Sequence, residues 1–150
     1  MNDEALPEVW VSFDLVALER DGASFDPDYV TQQLGVLPTQ QNRIGDPIHE
    51  GKGRRTFTRW RISVGPVYAI KIDGMLDEVI SRLRPVSDKL RAVCEEIGVE
   101  PMLICAVEPR SAQTPAITFP VEIVRWAADN RVALDVDVML WRKDDQTDDD

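Results

Sequence analysis

The chain has 150 residues, 43% apolar and 29% charged, with a formal net charge of -10. That length makes one domain with enough apolar material for a core. The acidity disfavours nonspecific nucleic-acid binding and attraction to anionic membranes, and favours a basic partner, although acidity also serves plain solubility.

The N-terminus, MNDEALPE, shows no basic start followed by an apolar run, so no secretory signal is read there. The longest apolar run, Met102 to Val107, is far too short to span a bilayer. Cys94 and Cys105 match no zinc or redox spacing and are expected as buried, reduced thiols of a cytoplasmic protein. Residues 1–8 are expected as a flexible lead-in, 9–141 as one α+β domain, and 142–150 as a disordered acidic tail. From Lys143 onward that tail holds five aspartates and one lysine.

Val9 to Leu18 reads as the first strand, with Val9, Val11, Phe13, Leu15 and Ala17 on its apolar face and Trp10, Ser12 and Asp14 opposite. Asp26-Pro27 opens a helix, capped by Asp26 and stopped by Gly35. From Val36 to Arg55 no period is visible, which predicts a long connection that is either functional or mobile. Thr56 to Val64 is the second strand, turning Trp60, Ile62 and Val64 inward and Arg59 and Arg61 to solvent. Val67 to Ile72 is ambiguous. A helix from Met75 to Leu83, with Asp77 and Glu78 in its first turn, is broken by Pro85 and followed by a second helix ending at Gly98. Val99 to Glu108 is apolar on both sides and so expected to be central. A last helix from Pro120 to about Asn130 places Val121, Val124 and Ala128 on its buried stripe. Val132 to Trp141 closes the fold as a strand, with Leu134, Val136, Val138 and Leu140 facing the core and Asp135 and Asp137 facing water.

Helices with one apolar stripe and strands with one wet side predict a two-layer α+β sandwich. Helices would cover one face of a four- to five-stranded sheet, mainly antiparallel or mixed, leaving the other face partly open. Strand order is not derivable.

Two groups of residues could carry function. By alternation, Asp14, Arg59, Arg61, Asp135 and Asp137 all point away from the helices. Paired aspartates could hold a metal, and a carboxylate beside arginine could orient a polar ligand. Cross-strand charge pairing on a solvated surface is the simpler reading. The second group is the connection bearing Arg43, His49, Lys52, Arg54 and Arg55, locally +2 against Asp46 and Glu50. Gly45 to Gly53 is not a nucleotide-binding loop: five residues separate Gly45 from Gly51, and Gly53 stands where a serine or threonine belongs. One histidine and no glycine-flanked serine give no hydrolytic triad. No catalytic residue, metal site or cofactor is assigned.

FDPDYVTQQLGVLPTQQNRIGD followed by RRTFTRW resembles the bacterial family called domain of unknown function 4279. The matching positions are Asp26, Pro27, Thr31, Leu34, Gly35, Pro38, Gly45, Asp46 and Trp60. Met139 and Leu140 depart from the resemblance, standing where a tyrosine is common. The resemblance spans about Val9 to Trp141 and implies a small cytoplasmic bacterial domain, without supplying an activity. Two functions are carried forward. One is a noncatalytic interaction module, by analogy of the immunity type, that neutralises a basic protein partner. The other is a small-ligand or metal-dependent enzyme using Asp14, Asp135 and Asp137. A homodimer through the open side of the sheet is compatible with either.

Overall fold

A computed structural model describes residues 6–110 and 113–139. The expected acidic tail, together with Leu140, Trp141 and residues 1–5, lies outside the described residues. Five strands form one sheet: β1 (Glu8–Leu18), β2 (Gln40–Asn42), β3 (Phe57–Tyr68), β4 (Met102–Glu108) and β5 (Ala133–Val138). Their order is β2-β3-β1-β4-β5. Every neighbouring pair is antiparallel except β4 and β5, which are parallel. Four α-helices accompany them: α1 (Pro27–Leu34), α2 (Asp73–Leu83), α3 (Ser87–Ile97) and α4 (Val121–Asp129). The fold is α+β with a mixed sheet, and α4 is the crossover that the single parallel pair requires.

β1 organises the sheet because it is central and carries an apolar residue at every second position from Val9 to Ala17. Val9, Val11, Phe13 and Leu15 are fully buried on the helical side. β3 continues that side with Trp60 and Ile62, and β4 with Leu103, Cys105 and Val107. The helices are tied to the same face by polar tips of buried aromatics. Trp60 Nε1 donates to Thr31 Oγ1 of α1 at 3.0 Å, and Trp126 Nε1 of α4 donates to Ser87 Oγ of α3 at 3.0 Å.

Several local expectations hold at atomic level. The Asp26 carboxylate accepts from Asp28 N–H at 3.0 Å, Pro27 starts α1, and Gly35 ends it at φ 66°. Other boundaries move. β3 runs on to Tyr68, which absorbs the start of the ambiguous stretch. It turns there at Gly65 (φ 98°), where a Cβ would stand 2.8 Å from Val9 O, so only glycine lets β3 keep this close to β1. α2 begins at Asp73, which leaves Asp77 and Glu78 beyond its first turn; Glu78 instead meets Arg82 at 3.8 Å. The C-terminal end of α2 stays where expected, at Leu83 before Pro85, and a 3₁₀ turn, Arg84–Val86, leads into α3.

The supposedly featureless connection from Val36 to Arg55 is structured. It supplies β2 and a small hairpin in which Gly45 N–H donates to Arg55 O and Arg55 N–H to Asp46 O, each at 2.8 Å. Thr58 Oγ1 pins it by accepting from Ile44 N–H at 3.1 Å.

Two expectations about the C-terminal half are overturned. The buried stripe of α4 is Ile123, Trp126 and Ala127, whereas Val121 and Val124 are exposed. Both triplets have helical spacing; the indole decides, because its ring meets the edge of Phe13 in a T-shaped contact at 6.3 Å. The second correction concerns β5. The aliphatic side of β5 does not line the interior: Leu134, Val136 and Val138 are 39%, 44% and 50% exposed. Among the described residues β5 is an edge strand whose helical side is only partly covered.

Candidate functional site

The sheet face away from the helices is organised by one carboxylate. Asp14 of β1 lies opposite Arg61 of β3 in register, so their side chains emerge on the same face. Arg61 donates from Nε to Oδ1 at 2.8 Å and from Nη2 to Oδ2 at 2.7 Å, the bidentate fork–fork geometry. Arg59, one alternation along, places Nε 3.6 Å from Oδ2, an ion pair rather than a hydrogen bond. Asp14 was expected to face water; it is 1% exposed. β1 is the middle strand, and long side chains from β3 close over it. Ser12, on the same face, is also fully buried.

Arg59 is the unusual member. Burial, and next the adjacent Arg61, lowers its pKa from the ordinary guanidinium value. Its Nε is buried without a hydrogen bond among the described residues. Its guanidinium stacks on Phe57 at 4.6 Å, and Arg55 approaches the same ring at 5.8 Å. Arg55 of the connection therefore joins Arg59, Arg61 and Asp14 in one continuous patch. Phe57 is the residue that sequence reasoning missed. Its signal was present, since Phe57, Arg59 and Arg61 alternate on one face of one strand.

The other residues of the connection disperse. Arg43 reaches back to α1, with Nη2 2.8 Å from Asp26 and 2.8 Å from Asp28. These bonds lower the Asp26 pKa and raise that of Arg43. His49 is exposed in a 3₁₀ turn, His49–Gly51. Arg54 pairs with Pro47 in an isolated bridge, next to exposed Lys52. These side chains form no common pocket.

Asp135 and Asp137 also separate from the Asp14 group. In register, Asp135 lies beside Ile104 and Asp137 beside Ala106, and β4 stands between them and β1. Both are exposed at the sheet edge. The five residues grouped by alternation thus occupy two places: a buried ion-pair cluster of Asp14, Arg59 and Arg61, and an acidic edge of Asp135 and Asp137. Among the described residues no group of three or more His, Cys, Asp or Glu is placed to hold a metal ion. Cys94 and Cys105 are free and buried, and burial pushes both thiols up to about 11, away from thiolate chemistry at neutral pH. No helix among the described residues is long and apolar enough to cross a membrane.

A search of curated proteins and a search of solved structures each return no match. A family model described as a domain of unknown function (DUF4279) matches residues 8–141, from the start of β1 to beyond the end of β5. That span contains the sheet, all four helices, the buried ion-pair cluster and the acidic edge, and the chain therefore belongs to the DUF4279 family.

Proposed function

We propose that this chain is a noncatalytic protein-interaction module, of the immunity type, that neutralises a basic protein partner through its acidic sheet edge. One observation carries this reading. β5 exposes Leu134, Val136 and Val138 on one side and Asp135 and Asp137 on the other, at the outer edge of the sheet. Exposed aliphatics bordered by carboxylates are what a binding surface for a basic, partly apolar partner requires. The net charge of -10 would steer such a partner and make association salt-sensitive. The arrangement of the aspartates gives less support to the enzyme alternative. Asp14 is taken up by Arg61, and a whole strand separates it from Asp135 and Asp137.

Affinity capture from native lysate tests the reading, comparing wild type with the Asp135→Lys/Asp137→Lys variant at low and high salt. A basic protein held by the wild type, released by salt and lost on charge reversal is the expected result. Retention indifferent to both changes, or no retained protein at low salt, refutes it.

A further inference from the structure

We infer that the basic partner is received as an added strand. An extended segment in which aliphatic residues alternate with lysine or arginine pairs with β5 and becomes the sixth strand of the sheet. This rests on the proposed interaction role and adds how, and by what chemistry, the partner is held.

The backbone of β5 defines the docking line. Ala133 N–H donates to Pro101 O at 2.9 Å and Met139 N–H to Val107 O at 2.8 Å. In a parallel ladder, bonding residues alternate, so Asp135 and Asp137 also turn their peptide groups toward β4. The N–H and C=O groups of Leu134, Val136 and Val138 then point outward, where no strand among the described residues meets them. The edge has only part of the usual protection: the charges of Asp135 and Asp137 repel acidic strands but attract basic ones. Ala133–Val138 contains no lysine, no proline and no bulge opposite β4.

The side chains define the partner. Residues paired with Leu134, Val136 and Val138 would fall on the helical side, over aliphatics that α4 leaves exposed. Those beside Asp135 and Asp137 would fall on the opposite side, against carboxylates. An apolar–basic alternation satisfies both rows, and it is the strand-addition mode in which main-chain bonds give affinity and alternate side chains give specificity. Charge disfavours the other occupants. A second copy pairing antiparallel about a two-fold axis would set aspartate against aspartate on the same face. The chain's own residues 142–150 bring five more aspartates.

The test uses the full chain and fluorescently labelled synthetic peptides of about seven residues, long enough to span β5. One peptide alternates valine and lysine; the other has the same composition with lysines and valines in two blocks. The alternating peptide is expected to bind at least tenfold more tightly. Val136→Pro should reduce that binding at least tenfold while leaving the circular dichroism and Tm near wild type, because the removed N–H points outward. Equal binding of both peptides, unaffected by Val136→Pro, overturns strand addition and leaves the charge-driven role standing. If neither peptide binds, strand addition fails, and the lysate comparison separately decides the interaction role. A wild-type dimer that Val136→Pro makes monomeric, or binding that appears only after deletion of 142–150, names a second copy or the tail as occupant and also overturns the proposal.

Discussion

Arg61 grips both carboxylate oxygens of Asp14, at 2.8 and 2.7 Å, in the middle of the sheet face that carries no helices. The face is held together by a desolvated ion pair rather than by a second layer. Removing one partner leaves the other's buried charge uncompensated, whereas removing both spares that cost and leaves only Arg59 without its carboxylate at 3.6 Å. Asp14→Ala should therefore cost about 3 kcal/mol, and Asp14→Leu/Arg61→Leu distinctly less than the sum of the two single leucine variants. Urea unfolding measures this; additive costs would show that the contact contributes no coupling.

Neighbouring leucines on β4 and β5 should differ sharply. Leu103 and Leu134 are paired in register, yet Leu103 is fully buried and Leu134 is not. Leu103→Ala should cost about 2–5 kcal/mol and Leu134→Ala less than about 1 kcal/mol. Similar losses at both positions in a denaturant titration would mean that β5 is covered in solution.

Two glycines should respond with opposite signs. At Gly65, φ is 98° and a Cβ would meet Val9 O at 2.8 Å, so Gly65→Ala should destabilise by about 2 kcal/mol or more. Gly74 lies in the first turn of α2 with no atom within 4 Å of a new Cβ. Gly74→Ala should be neutral or stabilising by up to about 1 kcal/mol. Paired thermal melts give both signs.

Alkaline pH should loosen the core through its thiols. Burial raises Cys94 and Cys105 from 9.0 to about 11, so folding favours the neutral thiol. Their contribution is fully present below pH 9 and is lost as pH rises toward 11. At about 1.4 kcal/mol per pKa unit, each thiol loses at most about 2 kcal/mol across that window. The Cys94→Ala/Cys105→Ala protein, compared with its own neutral-pH stability, should fall less between pH 9 and 11. An identical fall in wild type and variant would remove the thiols as the cause.

How much was legible in the chain follows from how local each determinant is. The helix from Asp26-Pro27 to Gly35 could be read because its start and stop signals act within a turn. The parity of Asp14 and Arg61 could be read because side-chain alternation is a property of one strand at a time. β2 could not: its residues are Gln40, Gln41 and Asn42, and only pairing with Arg59–Arg61 makes them a strand. The buried side of α4 was ambiguous because two stripes fit its period and a distant ring, Phe13, selects between them. The acidic edge was divided from the Asp14 cluster by strand order, which no single segment encodes. The alternation of β5 was correctly seen, but not that its aliphatic side is only partly covered.

The ladder along β5 should also leave a signature in time. Exchange of backbone hydrogens for deuterium should follow a two-residue rhythm there. Amides of Asp135 and Asp137 would be retained through their bonds to β4, while those of Leu134, Val136 and Val138 would be surrendered early. A single strand would thus hold its slowest and fastest protons side by side, and whatever docks along that border would announce itself by slowing every second one.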